Sequence, residues 1–194
     1  MTDSVRAIVL AGGTAQRLGG VHKPSLRVGG IPIIARLCAA LRSFEPIVVG
    51  LAQDVPAEVE ITREDPPGGG PVAAIAVGLD ALSRADVVLV IAGDLPFFDA
   101  QSADLLVSNL GSFDGCLYAD GQTHWLAGCW QARALRARIA AVNPRGMSVR
   151  SLAAALRTTT VRPLNAAAVF DVDTREDLEQ ANAIVAGRSR PLRE

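Results

Sequence analysis

Short runs of aliphatic and β-branched residues recur along the chain, and segments with helical periodicity lie between them. The most apolar runs cover residues 6–10, 46–50 and 86–92, and each is too short and too rich in Val and Ile for a typical globular helix. Runs without polar alternation are typical of strands that are buried on both faces of a parallel sheet. The alternation with helices therefore predicts an α/β fold, a Rossmann-like three-layer α/β/α arrangement around a mostly parallel, mixed sheet.

The weaker patterns extend this prediction to the rest of the chain. They predict further strands at residues 59–62, 115–118 and 123–130, an extended segment at 161–164 and a final strand fragment at 169–174. They predict helices at residues 32–41, 72–82, 100–110, 132–142, 148–156 and 175–185. No repeat or linker marks a boundary in the sequence, so we expect one domain across residues 1–194, with a disordered tail from about residue 187.

Composition limits the expected partners and compartment. The 194 residues are 49% apolar and carry a formal net charge of -1, with both signs spread along the chain. This balance gives no support for a nucleic-acid or membrane-binding surface. The cysteines Cys38, Cys116 and Cys129 lack metal-ligand spacing, which indicates free buried thiols in a reducing compartment. The sequence shows no apolar leader and no membrane-spanning run, so we expect a cytoplasmic protein.

The first apolar run ends in a loop that combines glycines with two cations. Four glycines, at positions 12, 13, 19 and 20, share this loop with Arg17 and Lys23. Glycine lets the backbone approach a ligand because no Cβ intervenes, and the cations supply charge for phosphates. The spacing matches neither the P-loop nor the dinucleotide-binding fingerprint. A tight turn would account for the glycines but not for the cations, so the loop predicts a binding site for a nucleoside triphosphate.

Acidic side chains follow two apolar segments. Asp94 comes two residues after the run at 86–92, at the edge where strands of an α/β sheet gather ligands. It is either a turn residue or a ligand for Mg²⁺, which takes one or two carboxylates together with phosphates and water. Asp171 and Asp173 would share one side of the predicted final strand. One or both would complete a metal site, or they belong to a solvated turn.

Three segments resemble the molybdenum cofactor guanylyltransferases, a family of nucleotidyltransferases. They read LAGGTAQRLGGVHK at residues 10–23, GPVA at 70–73 and FDVDTREDL at 170–178, and the likeness extends over residues 5–185. The resemblance implies a fold of the nucleotide-diphospho-sugar transferase type. It also implies a Mg²⁺-dependent transfer of GMP from GTP to the phosphate of molybdopterin, with release of pyrophosphate.

The resemblance assigns the nucleotide to both loops. The positions that would contact it are Leu10, Ala11, Gly12, Gly13, Arg17, Lys23, Asp65 and Asp94. The first four would act through main-chain groups, whereas Arg17 and Lys23 would hold the phosphates. Arg17, Lys23 and Asp94 would be the catalytic residues, because they would stabilise charge at the reacting phosphorus and on the pyrophosphate.

The resemblance also suggests a metal site and an acceptor site. Asp94 and Asp173 are the expected Mg²⁺ ligands. The phosphate of the acceptor would lie near His124, Arg145, Ser148 and Arg150. For both arginines a solvated surface position is equally compatible with the sequence. Because an acceptor phosphate is already an anion, the reaction needs no strong general base and no nucleophilic side chain.

Several positions depart from the family pattern. Asp171 and Asp173 stand where guanylyltransferases usually have Asn, and are closer to cytidylyltransferase relatives. Gly50 stands where an Asn often contacts the nucleotide, and His22 replaces a frequent Asp and is interpreted as a loop residue. The pair at 12–13, Gly-Gly, is instead typical of guanylyltransferases. GTP is therefore the expected donor, with CTP or another nucleotide as the alternative.

The sequence leaves other functions open. A cytidylyl- or other nucleotidyltransferase acting on molybdopterin, or on a sugar or alcohol phosphate, would need the same loop. A non-catalytic nucleotide-binding homologue would also keep it. The sequence does not fix the acceptor, and we expect either a monomer or a weak homo-oligomer.

Overall fold

Seven strands form one sheet in the computed structural model, which describes residues 4–12, 14–15, 21–51 and 53–187. The strands are β1 (Val5–Leu10), β2 (Ile47–Val49), β3 (Glu60–Thr62), β4 (Val87–Ala92), β5 (Gly115–Ala119), β6 (Thr123–Gln131) and β7 (Thr158–Val161). Their spatial order is β7-β5-β6-β4-β1-β2-β3. Strand β6 runs antiparallel to β4 and β5, and every other pair in this sheet is parallel. The mostly parallel, mixed sheet predicted from the sequence is therefore confirmed.

Helices cover both faces of this sheet. They are α1 (Ile33–Ala40), α2 (Pro71–Ala81), α3 (Ala100–Ser108), α4 (Ala132–Ala140), α5 (Val149–Ala153) and α6 (Arg175–Val185). Helices α1, α3 and α6 contribute to the hydrophobic core on one face, and α2, α4 and α5 to the core on the other. None of the helices in the described residues is long and apolar enough to cross a membrane. The arrangement is the predicted three-layer α/β/α fold.

Strand β1 shows why both faces carry helices. Ala7 and Val9 belong to the core that contains α1, whereas Ile8 and Leu10 belong to the core that contains α2. Successive side chains of a strand point to opposite faces, so a strand without polar alternation supplies both cores. Gly78 lets α2 approach the sheet closely, because a Cβ at this position would lie 2.9 Å from the Cδ1 atom of Ile8.

Between β1 and α1 the chain forms two short antiparallel pairs. Thr14–Ala15 pairs with Val21–His22, and Arg27–Val28 pairs with Ile31–Pro32. A 3₁₀ turn at Lys23–Ser25 lies between the two pairs. As a result, Lys23 at the start of this turn and Leu10 at the carboxyl end of β1 line the same cleft.

The extended segment predicted at residues 161–164 is wrong in position. The structure has β7 at Thr158–Val161, where it pairs in parallel with β5. Three successive threonines begin this strand, and their β-branched side chains favour extended backbone. Pro163 has no N–H to donate to a neighbouring strand, so the strand ends before it.

The strand fragment predicted at residues 169–174 is also wrong. Ala166–Val169 forms a 3₁₀ turn capped by Asn165, and the residues between this turn and α6 belong to no strand. Val172 is fully buried, as its apolar character suggests, but its N–H donates to the backbone oxygen of Asp94 at 3.2 Å. The alternation of apolar and acidic residues indicated burial but not strand pairing. The segment instead packs against the loop that follows β4.

The predicted helices are confirmed in position. Ser148 and Thr174 accept hydrogen bonds from backbone N–H groups at the start of α5 and α6, as expected for cap residues. Helix α5 ends at Ala153, three residues before its predicted end, because the chain turns there towards β7. The tail that was predicted to be disordered lies outside the described residues from residue 188 onwards.

The three cysteines are free thiols buried in the core, as predicted. Cys116 on β5 lies opposite Cys129 on β6, and the Cys129 thiol donates to the backbone oxygen of Leu106 at 3.2 Å. Burial raises the pKa of the Cys38 thiol to about 11. Cys38 therefore stays protonated at neutral pH and acts as an apolar core residue.

Candidate active site

A cleft of about 510 Å³ lies at the carboxyl ends of β1, β2 and β4. Part of the loop at residues 63–71 and the start of α2 form its opposite wall. Parallel strands of α/β sheets gather ligands at this edge, and the volume is within the range of small-molecule sites in proteins. The cleft therefore lies where the sequence predicts a nucleotide.

The loop after β1 contributes main chain to the cleft. Leu10, Ala11 and Gly12 line it, and the N–H of Ala11 donates to the backbone oxygen of Val49 at 2.8 Å. This hydrogen bond extends the pairing of β1 with β2 one residue beyond the strand. Gly13 and Arg17 lie outside the described residues, so their roles in binding the nucleotide and its phosphates stay predictions.

Gly50 allows the end of β2 to approach this loop. Its φ of +136° is a conformation that favours glycine, and a Cβ at this position would lie 2.8 Å from the carbonyl carbon of Ala11. The N–H of Gly50 donates to the backbone oxygen of Thr62 at 2.9 Å, which fixes this conformation. The Asn expected from the family resemblance does not fit this backbone, so the departure at Gly50 has a steric reason.

Lys23, the only lysine of the chain, lies between two carboxylates. Its Nζ atom is 3.4 Å from Asp94 Oδ2 and also contacts Asp173 Oδ1. The side chains of Lys23 and Asp94 are 17% and 20% exposed, whereas that of Asp173 is 44% exposed and faces the solvent side of the cluster. Three site residues predicted from separate motifs thus meet in one ionic cluster.

Asp173 reaches the cluster from the segment before α6. The N–H of Val172 donates to the backbone oxygen of Asp94, and the N–H of Asp173 donates to Asp177 Oδ2 at 3.1 Å. The same Asp177 carboxylate forms a capping box with Thr174 at the start of α6. The capped helix and the loop after β4 together position Asp173 without a strand.

The cluster perturbs the protonation of its members. Burial lowers the pKa of Lys23, but its contacts with Asp173 and Asp94 outweigh this effect and leave the pKa above its usual value. Burial raises the pKa of Asp94, the Lys23 ammonium lowers it, and the carboxylates of Asp171 and Asp173 raise it again, with a net increase. Burial likewise raises the pKa of Asp171, and the Asp173 charge adds to this increase. Lys23 therefore keeps its positive charge at neutral pH.

The donor set fits a Mg²⁺ ion that is shared with a ligand. In the described ranges no group of three or more His, Cys, Asp or Glu side chains is placed to hold a metal ion by itself. Asp94 and Asp173 nevertheless direct oxygens at one point, which the cationic Nζ atom of Lys23 occupies. Two carboxylates suffice for Mg²⁺ when phosphates and water supply the other ligands.

Asp65 is exposed, whereas its neighbours Arg63 and Glu64 line the cleft. Glu64 Oε2 accepts a hydrogen bond from the N–H of Gly69 at 2.7 Å and so holds the loop at residues 63–71 in a closed turn. The contact of Asp65 with the nucleotide stays a prediction. In this loop, Glu64 is instead the acidic residue that lines the cleft.

The residues predicted for the acceptor do not line this cleft. His124 Nε2 lies 2.7 Å from Asp120 Oδ1, and Arg145 Nη1 donates to the backbone oxygen of Pro66 at 3.1 Å. Ser148 caps α5, and Arg150 is exposed in the same helix. Their role in acceptor binding stays a prediction. Arg145 contacts the loop that forms one cleft wall.

Besides Arg63 and Glu64, the sequence also did not identify His22 and Leu126 as contributors to the cleft. His22 lines the cleft and hydrogen-bonds to the backbone oxygen of Ala11 at 2.7 Å. Leu126 reaches the cleft from β6, where the pairing with β5 shifts in register between His124 and Gly128. The position of His22 beside Lys23 was a signal for the first. The second depends on a β-bulge that the sequence does not indicate.

The sequence and fold have clear relatives. The family model of the MobA-like NTP transferase domain matches residues 7–174 of the chain. The chain is 28% identical over 206 residues to the molybdenum cofactor guanylyltransferase of Bradyrhizobium sp. (strain ORS 278), and the match covers 97% of this chain and 97% of the relative.

Two solved structures share the fold. Molybdopterin-guanine dinucleotide biosynthesis protein A from Archaeoglobus fulgidus matches with a TM-score of 0.78 at 17% identity, over 94% of this chain and 100% of its own. The 2-C-methyl-D-erythritol 4-phosphate cytidylyltransferase from Thermus thermophilus matches with a TM-score of 0.71 at 20% identity, over 94% and 99%. Both support the nucleotide-diphospho-sugar transferase type of fold predicted from the sequence.

Proposed function

The chain belongs to the MobA-like NTP transferase domain family and is a nucleotidyltransferase, and we propose that it transfers GMP from GTP to the phosphate of molybdopterin. The observation that carries this proposal is that Leu10, Ala11 and Gly12 line the same cleft as Lys23 and Asp94, where Asp173 contacts Lys23. A main-chain surface for a nucleotide and charges for its phosphates are the two parts that such a transfer needs.

In this proposal the nucleotide lies along the end of β1. Main-chain groups of Leu10, Ala11 and Gly12 contact it, and Gly13 and Asp65 add the contacts that the resemblance implies. Lys23 and Arg17 hold the phosphates. Lys23 suits this role because its raised pKa keeps the ammonium charged at neutral pH, where the phosphates are ionised.

The reaction follows from the charges. An oxygen of the acceptor phosphate attacks the α-phosphorus of GTP, and the bond from that phosphorus to the oxygen bridging to the β-phosphate breaks. Pyrophosphate leaves with the electron pair of that bond. The barrier lies in bringing two anions together, so the contribution of Lys23 and Arg17 is electrostatic stabilisation and alignment, with no general base.

Asp94 and Asp173 are the proposed Mg²⁺ ligands. When bound, the ion supplies positive charge at the phosphate oxygens of the nucleotide. For their part, the two carboxylates must be ionised and separated from the Lys23 ammonium that they contact in the ligand-free protein. Lys23 is then free to contact the phosphates, which take over as its anionic partners.

For the acceptor, the proposal keeps His124, Arg145 and Ser148 as candidate contacts. Arg145 has the best support, because its guanidinium already lies against the loop at residues 63–71. The three buried free thiols support a reducing compartment such as the cytoplasm. A monomer or a weak homo-oligomer is the proposed state.

A second candidate is a cytidylyltransferase that uses CTP. Asp171 and Asp173 favour this candidate, because the guanylyltransferase pattern that the chain resembles usually has Asn at these positions. The Gly12–Gly13 pair and the guanylyltransferase relative favour GTP. Sugar or alcohol phosphates are the alternative acceptors, and a non-catalytic nucleotide-binding protein is the third possibility.

Pyrophosphate release tests these candidates directly. The purified protein with Mg²⁺ is given GTP, CTP, ATP or UTP, each with molybdopterin or with a sugar or alcohol phosphate. We expect release with GTP and molybdopterin, and the loss of this activity in Asp94→Asn but not in the exposed control Asp80→Asn. Faster release of pyrophosphate with CTP than with GTP would identify CTP as the donor. No release with any pair, despite nucleotide binding, would contradict an enzymatic function.

A further inference from the structure

The His22 side chain connects the loop after β1 to the turn that contains Lys23. Its Nε2 atom lies 2.7 Å from the backbone oxygen of Ala11, and its Nδ1 atom lies 3.1 Å from Ser25 Oγ. The ring is half-buried and lines the cleft. It is therefore a direct side-chain contact to the main chain that the proposed function assigns to nucleotide binding.

The direction of this hydrogen bond is fixed by its partner. A carbonyl oxygen only accepts, so Nε2 carries the hydrogen whether the imidazole is neutral or charged. The Ser25 hydroxyl can give its hydrogen to Nδ1 or to the backbone oxygen of Gln53, which lies 3.3 Å away. Both arrangements leave the Nε2–H group of His22 on Ala11. The contact does not depend on the protonation state of the ring.

Holding the Ala11 carbonyl also orients Gly12. The peptide bond is planar and trans, so the N–H of Gly12 points to the side opposite the Ala11 oxygen. No group among the described residues accepts a hydrogen bond from that N–H. The N–H of Ala11 donates to the backbone oxygen of Val49, and Gly50 leaves room for Ala11 because it has no Cβ. Among these contacts, only that of His22 comes from a side chain.

We propose that His22 is a positioning residue, whose Nε2–H group fixes the Ala11–Gly12 peptide so that the N–H of Gly12 is presented to an oxygen of the bound nucleotide. This rests on the proposed function for the identity of the ligand. His22 acts through Ala11 and does not touch the reacting atoms. Its loss therefore weakens nucleotide binding more than it slows the transfer.

The matched pair His22→Gln and His22→Met tests this role. The two side chains have similar length, but only Gln offers an N–H to the Ala11 oxygen. One net hydrogen bond corresponds to an expected weakening of GTP binding by about three- to tenfold in His22→Met. We expect KM for GTP to rise by the same factor while kcat stays within about twofold, and His22→Gln to remain close to the native protein. Calorimetry gives Kd, and steady-state kinetics give the other constants.

A measurement on the nucleotide-free protein separates this inference from the proposed function. The backbone ¹³C resonance of Ala11 and the amide resonance of Gly12 should move in His22→Met and return towards their native positions in His22→Gln. Ser25→Ala, which removes only the partner of Nδ1, should leave the Ala11 resonance in place. The long-range ¹H–¹⁵N spectrum of the native protein should show His22 protonated at Nε2, and His124→Gln assigns this signal because the chain has two histidines.

The outcomes decide both questions separately. An Nδ1–H tautomer, unchanged Ala11 and Gly12 resonances in His22→Met, or equal GTP affinities of the Gln and Met variants would overturn the positioning role. If His22→Met unfolds, the tautomer and the Gln variant still decide it. Weakened GTP binding in His22→Met, in a protein that transfers GMP to no acceptor, would support the positioning role and overturn the proposed function.

Discussion

On the nucleotide side, the part of the cleft that we propose to bind the nucleotide, the Lys23 ammonium contacts the carboxylates of Asp94 and Asp173, whereas the side chains predicted for the acceptor contact other parts of the protein. The nucleotide side is held by strand ends and by the capped start of α6. The side chains predicted for the acceptor have other partners. His124 hydrogen-bonds to Asp120, and Arg145 donates to the backbone oxygen of Pro66. Ser148 caps the start of α5.

The comparison distinguishes charged side chains that form ion pairs with one another from side chains that stabilise the fold. In the proposed function, a nucleotide and a cation replace the contacts between Lys23 and its two carboxylates. Ser148 already satisfies a helix start, so its substitution affects folding whether or not it also contacts an acceptor. Substitution of a charged side chain in the cluster should therefore lower activity, whereas substitution of a capping side chain such as Ser148 should lower stability.

The largest effect is expected from Asp94→Asn. Loss of one preorganised charge at a reacting phosphate typically lowers kcat by about 10²- to 10³-fold. The variant should stay folded, because burial raises the pKa of Asp94 and its ionised form is disfavoured in the folded state. A carboxyl group whose pKa is higher in the folded than in the unfolded state stabilises the fold below its unfolded pKa of about 3.9, and this stabilisation is lost as the pH rises through its folded pKa. Replacing Asp94 by the neutral Asn should therefore cost little stability near pH 7.

The control is Asp80→Asn, a substitution on the exposed surface of α2. Kinetics measure kcat, and thermal unfolding measures Tm for both variants at pH 7. Full activity in Asp94→Asn would contradict its place in the reaction, and unfolding of the variant would contradict the division between the charged cluster and the residues predicted for the acceptor.

Gly50→Asn should have the next largest effect. The substitution places a Cβ about 2.8 Å from the Ala11 carbonyl carbon at a φ that glycine favours. We expect the Kd for GTP to rise by about tenfold and the free energy of unfolding to fall by about 1–3 kcal/mol, as for other strained backbone positions. Gly30→Asn is the matched control, because Gly30 also has a positive φ but open space around it. Equal affinities of both variants for GTP would show that the close approach does not matter.

A smaller shift is expected in the pH dependence of the transfer. The Asp171 carboxylate raises the pKa of Asp94, so Asp171→Asn should lower it. An acid with a lower pKa loses its proton at lower pH, and the acidic limb of kcat/KM should move to lower pH in the variant. The pH profile of the transfer measures this shift, with Asp80→Asn again as control. A shift to higher pH would contradict the electrostatic description of the nucleotide side.

The smallest effect on activity is expected from Ser148→Ala. Loss of its hydrogen bond to the N–H of Ser151 should lower the free energy of unfolding by about 1 kcal/mol, as is typical of helix caps. The Kd for GTP should not change. Denaturant unfolding and calorimetry measure the two quantities. A higher KM for the acceptor at unchanged stability would instead support the acceptor role predicted from the sequence.

The fold was largely accessible from the sequence because its strands are buried on both faces. Runs such as β4 have no polar alternation, and helical patterns separate them, so few architectures remain. The strand predicted at residues 169–174 was wrong because a buried segment need not pair with a strand. Val172 is as buried as a central strand residue, yet it bonds to the loop of Asp94 and not to a strand. Local sequence does not show which backbone oxygen will accept the hydrogen bond of a buried N–H group.

The contact between Lys23 and Asp94 was predictable for a similar reason. Lys23 and Asp94 follow β1 and β4, which are adjacent and parallel, so their loops meet at one edge of the sheet. The contact of Lys23 with Asp173 depends on the docking of the segment before α6, and the hydrogen bond from His22 to Ala11 depends on the path of the loop. The acceptor residues rested on resemblance alone, without a sheet edge to bring them together.

Lys23 is held between two carboxylates, and the proposed function requires it to exchange them for the phosphates of a nucleotide. Because Lys23 is the only lysine, isotopically labelled lysine gives one side-chain signal for its titration by NMR. We predict that Nζ titrates above the usual lysine pKa, that Asp173→Asn lowers this pKa, and that GTP with Mg²⁺ shifts the signal. A Lys23 that titrates at or below the usual value, with a signal unmoved by GTP and Mg²⁺, would contradict the account.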